Sequence, residues 1–203
     1  ISARDPGHTK SFSPLKNALE KKEDIVFLSL GTLFNNNVEF FKIALEVFSE
    51  YSGFTFLVST GSQINPADIG LIPQNTIVMP FMPQLEILQY CSFFITHGGM
   101  NSVNESILNC VPMIVCPQQR EQFAVGRRVQ ELKAGILLEK EKQDYNNLKS
   151  AFENMIQNRQ TYFQNTLLIK ESFLQSPGMN YAAEFIESNC KGKMLDSQSH
   201  KNP

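Results

Sequence analysis

The chain of 203 residues is 42% hydrophobic and 19% charged, a composition that suits one large or two small globular domains with a sizeable core. Its formal net charge of −2 offers no basic field to nucleic acid or to an anionic membrane surface. No apolar stretch approaches the ~20 residues of a membrane span, so the chain is read as not transmembrane.

Residues 1–23 are polar, carry Pro6, Gly7 and Pro14, and read as a linker. The sequence opens on Ile1 without a signal peptide, which is the expectation for an excised piece or a processed product. The first apolar run, IVFLSL (25–30), is unbroken, the pattern of a strand buried on both faces of a parallel sheet. Gly31 and Thr32 follow it and form a loop that lets the backbone approach a ligand closely. In VEFFKIALEVFSEY (38–51), Val38, Phe41, Leu45 and Phe48 fall on one helical face. FTFLV (54–58) and TIVM (76–79) predict the second and third strands. The third exits through MPFMPQ (79–84), where Phe81 lies between Pro80 and Pro83. An aromatic fixed there can stack on a nucleobase or simply fill the core.

A short helix, QLEILQYC (84–91), precedes the fourth strand, FFIT (93–96). That strand runs into His97, Gly98 and Gly99, which permit a tight turn. The helix of NSVNESILN (101–109) leaves the N–H groups of Met100, Asn101 and Ser102 without intrahelical partners. With the helix dipole and side-chain donors from His97, Asn101 and Ser102, they suit a phosphate or diphosphate. Glu105 lies at i+4 from Asn101 and i+3 from Ser102, where a carboxylate can accept from paired sugar hydroxyls. The same residues also suit a plain turn, an N-cap and a solvated glutamate.

MIVC (113–116) predicts the fifth strand. Its exit, CPQQREQ (116–122), carries Gln118, Gln119, Glu121 and Gln122, which suit either sugar hydroxyls or a solvated loop. A helix over 121–134 is expected to end at Gly135 as a left-handed cap, and ILL (136–138) predicts a sixth strand. Beyond residue 140 the pattern is helical, over 144–158, 160–174 and 179–189, with the break SPG at 176–178. Cys91, Cys110, Cys116 and Cys190 have neither CxxC nor zinc spacing and read as reduced thiols of a cytoplasmic protein. There is no Asp-x-Asp for a divalent metal. The alternation predicts an α/β fold, a doubly wound parallel sheet of about six strands with C-terminal helices. It would occupy residues 24–190, followed by a disordered tail at 191–203.

The run FMPQLEILQYCSFFITHGGMNSVNESILNCVPMIVCPQQREQ (81–122) resembles the donor motif of nucleotide-sugar-dependent glycosyltransferases of the GT-B fold. It is similar to the macrolide and UDP-glucuronosyl-type transferases. The shared order is aromatic-x-Pro-Gln, His-x-Gly-x-Asn-Ser, Glu, Val-Pro and acid-Gln. A looser likeness runs from about Ile25 to Ser188 and takes in SLGT and SPGMNYAAEFIE. The resemblance implies the Rossmann-like donor-binding half of an inverting, metal-independent enzyme that moves a sugar from a UDP-sugar to an acceptor hydroxyl, with no cofactor. Phe81 would stack on uracil and the backbone of Met82 would bond the base edge. Gln84 and Glu105 would hold the ribose. His97, Gly99, the backbone of Met100, Asn101 and Ser102 would bind the diphosphate, helped by Gly31 and Thr32. Glu121 and Gln122 would face the transferred sugar.

The same resemblance puts the catalytic base and most of the acceptor pocket in an N-terminal domain of this or another chain, so no catalytic residue is expected here. Four departures stand out: Phe81 for Trp, a short loop between Leu88 and Phe93, Cys110 where many members have Gly, and Glu121 for Asp. One alternative is the separate donor subunit of a two-chain N-acetylglucosaminyltransferase, which an exposed apolar face at Phe173, Leu174 and Tyr181 would support. Others are a nucleotide-sugar 2-epimerase, fitted less well by the acid-Gln pair, and a non-catalytic nucleotide-sugar-binding module.

Overall fold

Every apolar run named above becomes a strand, and all the strands lie in one parallel sheet. They are β1 (Asp24–Ser29), β2 (Phe54–Ser59), β3 (Thr76–Met79), β4 (Cys91–Thr96), β5 (Met113–Val115) and β6 (Gly135–Leu137), in the order β3-β2-β1-β4-β5-β6. The computed structural model describes residues 24–31, 37–176, 178, 181 and 183–189. The linker at 1–23, Thr32 and the tail at 191–203 lie outside the described residues. The helices are α1 (Val38–Phe48), α2 (Gln84–Leu88), α3 (Met100–Leu108), α4 (Arg120–Glu131), α5 (Tyr145–Gln157) and α6 (Arg159–Gln175). The chain falls into two compact units divided between Leu168 and Ile169, so the segment read as 24–190 crosses that division. The first unit carries the whole sheet. The second is helical where described and exposes Phe173, Leu174, Tyr181, Phe185 and Ile186.

Alternation along each strand divides the core between two layers. Val26, Leu28, Phe56, Val58, Phe93, Ile95 and Ile114 pack in one cluster with Phe41, Leu45 and Phe48 of α1 and Leu148, Phe152 and Met155 of α5. Phe152 is its hub: its ring lies 4.8 Å from Tyr51, 5.3 Å from Phe54, 5.8 Å from Phe56 and 6.0 Å from Phe93. Burying one such side chain contributes about 1.5–3 kcal/mol. On the opposite face Phe27 stacks on Phe94 at 5.2 Å. At the amino ends of β1 and β4, Arg159 donates to both oxygens of Asp24, at 2.8 and 2.9 Å, while its guanidinium lies over Phe93. Burial pushes the Asp24 carboxyl up. The hydrogen bonds from Arg159 and Ser92 and the charge of Arg159 outweigh it, so the group ends below its usual range.

One cap differs from expectation. Gly135 is not the left-handed residue after α4; that role falls to Lys133, at φ 52°. The Lys133 N–H bonds the Gln130 carbonyl and the Ala134 N–H bonds the Val129 carbonyl, the paired closure of a Schellman motif. Gly135 is instead the first residue of β6 and has no room for a side chain. The end of α3 repeats the motif, with Cys110 at φ 57° and N–H bonds from Cys110 to Ile107 and from Val111 to Ser106. A left-handed conformation costs a residue bearing Cβ roughly 1–2 kcal/mol, a physical reason for the glycine that the resemblance expects at position 110. Part of that gain is lost to the greater freedom of an unfolded glycine. Cys110→Gly is therefore expected to stabilise the chain by about 0.5–1 kcal/mol. Urea unfolding would register this as a higher midpoint at unchanged slope, and a lower midpoint would refute the strain.

Candidate functional site

In this strand order the chain reverses direction across the sheet between β1 and β4, and the carboxyl ends of those neighbours open the crevice where such folds take ligands. Gly31 follows β1 and His97 follows β4, so the two meet there. A Cβ built on Gly31 would lie 2.8 Å from His97 Cε1, and one on Gly99 would lie 2.5 Å from His97 Nε2. The half-buried imidazole is thus wedged between two glycines. The sequence suggests a close backbone approach to a ligand at these positions. The first neighbour that approach accommodates is the histidine ring.

Burial lowers the His97 pKa, while the Ser29 backbone and the charge of Glu121 oppose the shift. Its Nδ1 has no partner of hydrogen-bond geometry among the described residues. The ring is therefore neutral at pH 7. Gly98, at φ 83°, turns the chain beneath it, and a Cβ there would meet Val115 at 2.6 Å.

Gly99 caps α3 with extended backbone and no side-chain cap bond. The Val103 N–H is the first to reach back, to the Gly99 carbonyl at 3.0 Å, so the N–H groups of Met100, Asn101 and Ser102 face outward. Neither Asn101 nor Ser102 is the cap that the plainer reading offered. Met100 and Asn101 are exposed, and Ser102 is half-buried. One turn on, Gln84 Nε2 donates to Glu105 Oε2 at 2.6 Å and to Ser102 Oγ at 3.2 Å. Gln84 comes from the start of α2, beside Phe81, which is 58% exposed and so can stack, and the half-buried Met82.

The β5 exit supplies the remaining candidates. Glu121 is exposed in the first turn of α4. Gln122 is buried, and its Oε1 accepts from the Gln118 N–H at 2.8 Å and the Gln119 N–H at 3.1 Å. That oxygen is spent on its own helix start, so only the Gln122 amide nitrogen remains for a ligand. The sequence offers no sign of a polar frame behind this loop. In it, Asn37 Nδ2 donates to Gln118 Oε1 at 3.0 Å, and Gln118 Nε2 donates to the Cys116 carbonyl and to Gln143 Oε1. Burial pushes the Cys91 and Cys116 thiols well above their usual range. Among the described residues there is no group of three His, Cys, Asp or Glu that could hold a metal, and no helix long and apolar enough to cross a membrane.

Residues 57–187 match the sequence model of the erythromycin biosynthesis protein CIII-like C-terminal domain. An uncharacterised UDP-glucosyltransferase of Bacillus subtilis, YojK, is 37% identical over 171 residues, 84% of this chain and 42% of that protein. A crystal structure of the kitacinnamycin glycotransferase superposes with a TM-score of 0.75 at 25% identity, over 82% of this chain and 43% of that one. The fold also matches Os79 of O. sativa, solved in complex with UDP, at a TM-score of 0.68 and 21% identity over 86% and 43% of the two chains. The chain spans less than half the length of the curated relatives it matches.

Proposed function

We propose, for a chain that belongs to the family of erythromycin biosynthesis protein CIII-like C-terminal domains of GT-B glycosyltransferases, that it binds the UDP-sugar donor of an inverting transfer to an acceptor hydroxyl. The observation that carries this reading is the uncapped start of α3 at the sheet's reversal point, flanked by an imidazole that two glycines make room for. In this reading the N–H groups of Met100, Asn101 and Ser102, with His97, receive the diphosphate. Gly31 helps from the β1 exit. The Gln84–Glu105 pair takes the ribose, and Phe81 and the Met82 backbone take the uracil. Glu121 and Gln122 face the sugar. The UDP carried by a structural neighbour supports the choice of nucleotide.

When the acceptor oxygen attacks the anomeric carbon, negative charge grows on the departing diphosphate. Donors already aimed at that charge stabilise the transition state without having to reorganise. The positive end of α3 and the imidazole supply this stabilisation, so the reading needs no metal or cofactor. Attack from the side away from a diphosphate held on α3 inverts the anomeric carbon. The base and acceptor pocket then belong to an N-terminal half of the same or another chain. A separate partner chain is the second reading, favoured by the exposed Phe173, Leu174 and Tyr181. Thiols free of disulfides, half-buried at Cys91 and buried at Cys116, suit a cytoplasmic setting.

Calorimetry with UDP in metal-free buffer tests the reading. Micromolar-range binding is expected, weakened about 10-fold or more in His97→Ala, the worth of one hydrogen bond to a charged group. Absence of binding by a folded chain sinks it. The pH dependence gives a second sign. A bound diphosphate favours the charged imidazole, so binding takes up a proton and UDP-glucose affinity should rise as pH falls from 8 to 6. UDP-glucose is the cleaner probe because a terminal phosphate itself titrates near pH ~6. The free chain behaves oppositely: its depressed His97 means the unfolded state binds more protons, so stability falls as pH drops through about 6.5. Both slopes should vanish in His97→Ala.

A further inference from the structure

We propose that Gln118 is a positioning residue: it ties the N-cap of α1 to the loops leaving β5 and β6 in one frame and so sets where Glu121 and Gln122 stand for the sugar of the donor. The inference rests on the donor-binding reading above and concerns a residue outside the proposed contacts.

Three side-chain amides from distant parts of the chain meet behind the site. Asn37 is used at both ends: its Oδ1 accepts from the Phe40 N–H at 3.1 Å and caps α1, while its Nδ2 donates to Gln118 Oε1 at 3.0 Å, across 81 positions of sequence. Gln118 Nε2 donates to the Cys116 carbonyl at 2.9 Å and to Gln143 Oε1 at 3.2 Å. Gln143 Nε2 closes the frame on the Pro117 and Leu138 carbonyls, at 3.1 and 3.2 Å. Each amide has one workable orientation. Reversing Gln118 would set its oxygen against two carbonyl oxygens and its nitrogen against the Asn37 nitrogen. The frame contains no titratable group, so it holds one geometry across pH.

The link to the sugar side runs through the backbone. The N–H groups of Gln118 and Gln119 both end on Gln122 Oε1, so the path of residues 116–119 fixes the start of α4 and the seat of Glu121 in its first turn. Without the Gln118 side chain, the β5 exit loses its tie to Asn37 and one of its two ties to Gln143, keeping only the bond from Gln143 to the Pro117 carbonyl. The diphosphate donors at α3 and His97 hang from β4, outside the frame. A displacement of ~1 Å is enough to spoil paired contacts to sugar hydroxyls. Its mark is a selective loss, affecting the sugar and sparing the nucleotide.

The test is calorimetry of UDP and of UDP-glucose on the 203-residue chain, with Gln118→Ala, Gln143→Ala and the double variant. The wild type is expected to prefer UDP-glucose to UDP. Gln118→Ala should lower UDP-glucose affinity about tenfold while leaving UDP within about twofold, as a misplaced contact requires. Gln143→Ala should act in the same direction, and the double variant should cost less than the product of the singles because both break one frame. A merely structural role would lower thermal stability without moving the UDP-glucose to UDP ratio. An unchanged ratio in both single variants overturns this inference alone, as does a wild type that binds the two ligands alike. A folded wild type that binds neither overturns the donor-binding reading and this inference with it.

Discussion

Gly135→Ala is expected to destabilise the chain by about 3 kcal/mol or more, with much of the protein unfolded at 37 °C. The added Cβ would lie 2.1 Å from the Met113 carbonyl oxygen and 2.9 Å from Val129 Cγ1. The first obstacle is backbone in the register partner of Gly135 on β5, and the second is a buried side chain of α4. Neither can swing aside, so β6 must separate from β5 or α4 must lift. Gly53→Ala is the control: its Cβ would meet nothing within 4 Å, and it should cost little. Urea unfolding of both variants decides the matter. A Gly135→Ala midpoint equal to that of Gly53→Ala would mean that the sheet edge yields more easily than its packing implies.

Gly99→Ala should act on binding and leave the fold in place. Its backbone is extended, which alanine adopts freely, but the new methyl would press on His97 Nε2 at 2.5 Å. Gly31 closes the other side of the ring, so the imidazole must rotate out of its slot. The expected loss of UDP affinity is about 100-fold, above that of His97→Ala, because the methyl and the displaced ring both intrude where the diphosphate would sit. The double variant separates the causes. If the ring transmits the damage, Gly99→Ala on a His97→Ala background costs little further, and the two changes are strongly non-additive. Full additivity would show that the methyl acts directly on the ligand.

The strands were legible because a parallel sheet covered on both sides demands continuous apolar runs, and TIVM matches β3 to the residue. β4 starts two residues before FFIT, since Cys91 and Ser92 are only half-buried and break the run. The expected cap at Gly135 missed because a sequence does not distinguish a glycine needed for positive φ from one needed for close approach. Here Lys133 accepts the strained conformation and Gly135 fills the tight contact. At the candidate site, Gln84 and Glu105, which the resemblance assigns to one ribose, share a hydrogen bond, and the His97 ring lies against Gly99. The frame of Asn37, Gln118 and Gln143 was invisible, because amides 81 and 25 positions apart become partners only once the sheet has set its loops side by side.

The ion pair of Asp24 with Arg159 at the amino ends of the strands has a practical consequence for redesign. It fastens the sheet at the edge opposite the crevice, so the molecule can be hardened there while the ligand edge keeps its composition. A library aimed at new donor sugars could vary the residues around Glu121 on a scaffold reinforced at the far edge. That separation lets tolerance to mutation and choice of substrate be tuned by different sets of positions.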